Sequence, residues 1–133
     1  MRAALADAGV HPEEVGYVHA HGGASQPGDP TEVMAIRAVL GEEAAARTAV
    51  SATKSMHGHC MGATGAVEAA LTALAVAEGR IPPTIATADI DPACTGVDHV
   101  LGMAREADLR MALNINNGLG GHNAAVLLRR WES

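Results

Sequence analysis

Residues 62–78 constrain this chain more than any other stretch. They read as one helix, stopped by Gly79, whose only polar side chains are Thr64, Glu68, Thr72 and Glu78. A helix that is apolar nearly all round is normally buried on both sides. The rest of a 133-residue chain offers little with which to cover it. The segment therefore predicts other protein mass packed on this helix, from a further part of a longer fold, a partner, or both. At its mouth stands Lys54-Ser55-Met56-His57-Gly58-His59, which places an ammonium group and two imidazoles side by side. Buried charge is costly without a partner. A second pair of imidazoles, His19-Ala20-His21, ends an earlier apolar run and leads into a Gly-rich loop.

Phe is absent, and there is one Trp and one Tyr, although 48% of the residues are hydrophobic. The interior must be built from Ala, Val, Leu, Ile and Met, with close backbone approach allowed by 15 Gly. A net charge of −6 and no run of Lys or Arg argue against nucleic acid and anionic membrane as partners. An acidic surface still leaves room for a local basic patch. Cys60 and Cys94 do not suggest a disulfide framework. The opening residues do not read as a signal peptide, and Glu68 and Glu78 interrupt the best candidate span. The expected setting is soluble, reducing and cytoplasmic.

The chain organises as alternating helices and strands. Residues 2–9 read as the end of a helix stopped at Gly9. Residues 15–20 and 49–53 read as short buried strands, and 97–101, 110–116 and 124–128 as further strands. Asp29, Pro30 and Glu32 read as cap, first residue and capping-box acid of a helix that continues through Met34, Ile36 and Leu40 to Gly41. Pro82-Pro83-Thr84-Ile85 is extended. The loop Asn117-Gly118-Leu119-Gly120-Gly121-His122-Asn123 is too long and Gly-rich for a two-residue hairpin and reads as functional. The charged residues 129–133 read as a chain end.

Three chemistries compete. The i,i+2 spacing of His19/His21 and His57/His59 would aim each pair to one side of an extended segment, a pattern compatible with zinc. No cysteine pair or carboxylate cluster supports it, and Lys54 would repel a cation, so no metal is expected. His19, His57 and His122 read as satisfied core or surface groups, and His11 and His99 as surface loop residues. His21 and His59 differ: each stands where a strand ends and a Gly-containing loop begins, a common place for catalytic groups in α/β folds. A nucleophile is harder to find. Cys60 lies near a helix start but reads as a small core residue, and Cys94 has no activating base. The Gly118-Leu119-Gly120-Gly121 backbone could form an anion nest or oxyanion hole, with a tight turn as the equal alternative.

Taken together these segments resemble the β-ketoacyl-acyl carrier protein synthases. His21-Gly22-Gly23-Ala24-Ser25-Gln26-Pro27-Gly28-Asp29-Pro30-Thr31-Glu32 is similar to the family's HGTxTxxGDxxE segment. Ser51-Ala52-Thr53-Lys54-Ser55-Met56-His57-Gly58-His59 is similar to SxTKSxxGH, and Gly62-Ala63-Thr64-Gly65-Ala66 continues it. Pro82-Pro83-Thr84 matches a third landmark, and Gly118-Leu119-Gly120-Gly121-His122-Asn123 resembles the GFGGxN loop. The motifs fall in family order over nearly the whole chain.

The resemblance implies an α/β fold, the C-terminal half of a thiolase-like architecture. It has a mixed sheet and a buried helix packed against an N-terminal half that carries the cysteine nucleophile. Residues 1–133 would form that C-terminal half-domain. His21 and His59 match the two catalytic histidines, which stabilise the enolate left when a malonyl thioester loses carbon dioxide. Lys54 matches the family lysine, and Glu32 its carboxylate partner. The backbone N–H of Leu119 matches an oxyanion-hole donor, with Leu119 and Gly120 in the gating loop, and Ser25 matches a contact to the phosphopantetheine arm. The implied function is decarboxylative Claisen condensation in fatty-acid or polyketide synthesis, an acyltransferase activity that this stretch alone would lack. No tightly bound cofactor is implied; the arm arrives on acyl carrier protein. Implied partners are the N-terminal half, acyl carrier protein, and a second subunit in a homodimer or heterodimer. Gly23, Asn117, Leu119 and His122 depart from the family pattern. They keep open the alternative of a non-catalytic, chain-length-factor-like subunit or structural partner, against which the presence of His21, Lys54 and His59 argues.

Overall fold

A computed structural model describes residues 1–87 and 89–132. At its centre is β1 (Tyr17–His19), buried along its whole length. Parallel partners lie on both sides: β2 (Ala49–Ser51) with Val18 opposite Val50, and the longer β6 (Met111–Asn117) with Val18 opposite Leu113. β4 (Asp98–His99) extends the sheet beyond β2 in parallel, and β7 (Asn123–Arg129) closes the other edge antiparallel to β6. The order is β4-β2-β1-β6-β7, a mixed sheet.

The two-residue period of the strands splits the core into two layers. Val18, Val50, Leu113 and Ile115 face one side, where Leu5 of α1 (Arg2–Ala8) and Ile36 and Leu40 of α2 (Gly28–Leu40) meet them with Ala44 and Ala45 of α3 (Glu42–Arg47). Tyr17, Ala49 and Ala112 face the other, against Ala75 and Val76 of α5 (Thr64–Glu78). Helices on both faces explain why the strands read as continuous apolar runs rather than alternating ones. A two-stranded antiparallel ribbon, β3 (Arg80–Ile81) with β5 (Arg105–Glu106), completes the α5 side. Between β2 and α5 lies one short helix, α4 (Lys54–His57).

α5 is where sequence and structure differ most usefully. The helix and its Gly79 stop are as expected, with Gly79 at φ 65°. The face turned to the sheet, however, carries the polar side chains: Thr64, Glu68 and Thr72, one turn apart, are fully buried together with Ala75 and Val76. The apolar side of the helix is the uncovered one. Ala66, Ala70, Ala73 and Ala77 are exposed and Leu74 is 54% exposed. The polar stripe thus points to the interior chemistry rather than to water. Two other expectations are corrected. Residues 54–57 are helical rather than extended, and α2 starts at Gly28. Asp29 therefore lies inside the helix rather than capping it, and the Gly28 N–H is held by Ser25 Oγ at 3.2 Å. Among the described residues no helix is long and apolar enough to cross a membrane.

Leu113, fully buried between helices and flanking strands, is the natural probe of this sheet. Leu113→Ala is expected to lower unfolding free energy by about 2–5 kcal/mol, read from the urea midpoint.

Candidate active site

His21, His59 and Lys54 come together where β1 ends and α4 begins. The loop after β1 turns sharply at Gly22, φ 48°, and presses against the β2–α4 junction so tightly that a Cβ there would fall 2.2 Å from Ala52 Cβ. Only glycine fits that approach. The turn brings His21 edge-on to His59, with ring centroids 5.4 Å apart and planes at 81°. Beside them opens a cleft of about 580 Å³, lined in part by Gly22, Gly23, Lys54, Ser55 and His59.

Lys54 is the hub. Its Nζ donates to Glu68 Oε1 at 2.5 Å and to the His21 carbonyl at 2.5 Å, and both charged side chains are buried. The ion pair expected between Lys54 and Glu32 is not formed. Glu32 instead accepts the backbone N–H groups of His21 at 2.7 Å and Gly22 at 2.8 Å, one on each oxygen. The reason is geometric: Glu32 lies on α2, on the opposite side of the loop from Lys54, and is taken up by the loop's unpaired donors. It neither caps α2 nor balances the lysine. The sequence signal for the true partner was present, since Glu68 is the one acid inside an apolar helix.

The two site imidazoles are held by different contacts. At His21, burial and then the adjacent Lys54 charge push the pKa below its ordinary value, with a polar contact to the Asn116 side chain opposing them. At His59, Nδ1 accepts the N–H of Met61 at 3.2 Å and lies 2.8 Å from the Thr64 hydroxyl. A nitrogen that accepts an N–H carries no proton, so the neutral ring bears its hydrogen on Nε2. Met61 adopts φ 50°, a conformation a non-glycine residue rarely takes, and its N–H points at His59.

The remaining predicted residues are placed less centrally. Leu119 and Gly120 sit in the β6–β7 loop, where Leu119 is 99% exposed and Gly120 takes φ 79°. The loop's root lies by His21, because Asn117 Nδ2 donates to Glu32 Oε1 at 3.4 Å. Ser25 is exposed and holds the start of α2. The four histidines once weighed as zinc ligands separate into two groups. His21 meets His59, while His19 and His57 meet through Thr53 Oγ1, at 2.9 Å from each ring. Among the described residues no group of three or more His, Cys, Asp or Glu is arranged to hold a metal. Cys60, read as a core residue, is exposed, as is the whole stretch 58–63 that leads into α5. His99 is half-buried on β4 and donates to the Cys94 carbonyl at 2.8 Å rather than lying free in a loop.

The family model described as Beta-ketoacyl synthase, C-terminal domain, matches residues 1–88. The chain belongs to the β-ketoacyl synthase family. It is 42% identical over all 133 residues to a 3-oxoacyl-[acyl-carrier-protein] synthase 2 of Staphylococcus aureus strain COL, covering 32% of that relative. The corresponding protein of Synechocystis is 42% identical over 129 residues, 97% of this chain and 30% of the relative. Among solved structures, the ishigamide ketosynthase/chain length factor superposes with a TM-score of 0.92 at 41% identity, over 98% of this chain and 32% of the other. A type II PKS acyl-carrier protein in complex with its ketosynthase gives 0.92 at 31% identity, over 98% and 31%. The synthase chain described here thus spans about a third of the relatives it matches, and its mixed α/β architecture is that of the thiolase-like ketosynthases.

The geometry of this candidate site gives two predictions. Glu68→Gln strands a buried ammonium and is expected to destabilise the fold by about 3–5 kcal/mol, while replacing both partners with Lys54→Met and Glu68→Leu restores most of the loss. Glu32→Gln, which leaves Lys54 paired, is expected to fall well short of Glu68→Gln in the same denaturation measurement. The second concerns pH. Burial lowers the pKa of His19 from 6.5 to about 4, outweighing the nearby Glu68 charge. Between those values the unfolded chain binds a proton that the fold refuses, so stability declines as pH falls through that window, by on the order of 3 kcal/mol. His21 adds to the decline, and the raised carboxyl of Glu32 opposes it. Urea midpoints at pH 7.5 and 4.5 should differ less in His19→Leu than in the wild type.

Proposed function

We propose that this chain supplies the decarboxylating half of a β-ketoacyl synthase site. The observation that carries this reading is the pairing of His21 and His59, two imidazoles in edge contact, with the His21 pKa lowered by burial and the Lys54 charge and the His59 tautomer set by the Met61 N–H. Neutral imidazole N–H groups are suited to donate to one oxyanion without protonating it outright. In this reading the thioester carbonyl of a malonyl group on acyl carrier protein lies between the two rings. The bond from its α-carbon to the carboxylate breaks, carbon dioxide leaves, and the electron pair becomes an enolate whose oxygen accepts hydrogen bonds from His21 and His59. The enolate carbon then attacks the carbonyl of an acyl group held on a cysteine thiol. The resulting oxyanion is met by backbone N–H groups of the Leu119–Gly121 turn, and collapse releases the cysteine thiolate.

That cysteine belongs to a further segment of the same synthase, which we assign to the open side of α5. Covering Ala66, Ala70, Ala73 and Leu74 would bury the apolar face that this chain leaves to water. Leu119 is a side chain without neighbours in the present chain, fitting a gate that closes against that segment or its substrate. Ser25 and the cleft beside Gly22 and Gly23 are assigned to the phosphopantetheine arm. A Cβ at position 23 would lie 3.3 Å from the His21 ring, so glycine keeps that approach open. The role is that of an acyltransferase working with acyl carrier protein, in fatty-acid or polyketide synthesis. A purely structural, chain-length-factor-like subunit would have no use for the Lys54–His21 and His59–Met61 contacts, and we favour the catalytic role on that ground.

In the complete synthase, His21→Ala and His59→Ala are each expected to lower malonyl decarboxylation and condensation by roughly 10²–10³-fold. Carbon dioxide release and β-ketoacyl product, assayed with malonyl and acyl carrier protein, measure the two steps. Near-normal condensation in both variants overturns the assignment, as does condensation by residues 1–133 alone.

A further inference from the structure

A second histidine cluster lies behind the site, and the reaction above makes no use of it. His19 is fully buried at the end of β1. Its Nδ1 is 2.8 Å from Thr72 Oγ1 on α5, and its Nε2 is 2.9 Å from Thr53 Oγ1, the residue that precedes α4. The hydrogen on His19 can be placed. Thr72 spends its hydroxyl proton on the Glu68 carbonyl at 2.7 Å, so it accepts from His19, and His19 carries its hydrogen on Nδ1. His19 Nε2 is then an acceptor, facing the Thr53 hydroxyl at 2.9 Å and the Thr53 N–H at 3.4 Å. Thr53 Oγ1 also lies 2.9 Å from His57 Nε2, and His57 Nδ1 donates to the Gly58 carbonyl at 2.7 Å.

These partners are chosen by position. Thr53 is the immediate neighbour of Lys54. Thr72 is one helical turn from Glu68. His19 is two residues from His21. The His19 ring is therefore a strut laid parallel to the Lys54–Glu68 pair, touching each of the three elements that carry a site residue: β1 leading to His21, α4 leading to His59, and α5 bearing Glu68 and Thr64. Tyr17 stacks on the ring at 5.9 Å and fixes its plane, and Tyr17 is itself held through Ser51 Oγ at 2.8 Å. A hydrocarbon in this place would fill the volume but leave Thr53 Oγ1 and Thr72 Oγ1 without the bonds that set their spacing.

We propose that His19, acting through Thr53 and Thr72, is a positioning residue that sets the separation of α4 from α5 and thereby the alignment of Lys54 and His59 toward His21. This rests on the condensing reading above but concerns residues that reading leaves idle. Misplacement of reacting groups by about 1 Å costs up to ~10²-fold in rate, which sets the expected scale.

The experiment uses the complete synthase and three variants: His19→Leu, His19→Gln and Thr72→Val. In His19→Leu, kcat for malonyl decarboxylation is expected to drop roughly ten- to hundredfold, with KM within about twofold of wild type. His19→Gln reaches Thr53 with an amide and should recover most of that loss. Thr72→Val, which cuts one end of the strut, should fall between. Nitrogen-15 NMR of the imidazoles gives the readout that simple loss of stability does not move. Wild-type His59 should show one fixed tautomer with its hydrogen on Nε2, and His19→Leu a tautomer-averaged signal. A His19→Leu kcat within twofold of wild type, or a kcat loss that His19→Gln does not relieve while the His59 signal stays unchanged, overturns the proposal. If His19→Leu does not fold, Thr72→Val decides by the same two measurements. If the wild-type synthase shows no decarboxylation, the condensing reading fails, while the NMR comparison still tests the strut.

Discussion

The Lys54–Glu68 pair is the constraint around which the rest is arranged. Both groups are withdrawn from water, and Glu68 Oε2 finds no hydrogen-bond partner among the described residues. Desolvation of two charges offsets most of their attraction, so such a pair is a poor device for stability. What it does well is fix geometry. One ammonium, by bonding Glu68 and the His21 carbonyl, ties α5 and the β1 loop to α4. It also sets a positive charge beside His21, which adds to burial in lowering that ring's pKa.

The same logic explains the inverted helix. α5 buries Thr64, Glu68 and Thr72, and each has a task behind the site: Thr64 meets His59, Glu68 meets Lys54, and Thr72 meets His19. Three polar residues one turn apart thus contact three different members of the constellation. Ala75 and Val76, at the far end, do the ordinary work of packing on Tyr17 and Ala112. The other face of the helix is apolar and open to solvent, with Ala66, Ala70, Ala73 and Leu74 exposed. A helix with this pattern cannot be amphipathic in the usual sense, and its few polar residues mark the functional side rather than the wet one.

Much of this was legible in the sequence, and what was not has identifiable causes. The strands around Val18, Val50 and Leu113 and the stop at Gly79 follow from local pattern, whereas the convergence of His21, Lys54 and His59 was implied by the family resemblance of their motifs. The partner of Lys54 was misassigned because Glu32 is the acid nearest to a recognisable motif, whereas pairing is decided by which face of which helix meets the loop. Backbone donors at His21 and Gly22 were invisible to any reading of side chains, and they claim Glu32. The extended geometry assumed for His57 and His59 does not hold, because His57 ends α4 and Gly58, at φ 76°, turns the chain between them. α3 was missed because Glu42 to Arg47 carries almost no apolar periodicity and is defined by packing of Ala44 and Ala45.

His21 and His59 are held by unrelated means. Burial and the Lys54 charge lower the pKa of His21. His59 is exposed in this chain and cannot rely on burial; the Met61 N–H instead fixes its tautomer from the backbone, at the expense of a positive φ at a non-glycine residue. Strain of that kind persists only where the surroundings over-determine it. Here they do: Thr64 anchors the ring from the first residue of α5. The two imidazoles are tuned independently, so a change that disturbs the lysine acts first on His21, and one that disturbs the start of α5 acts first on His59.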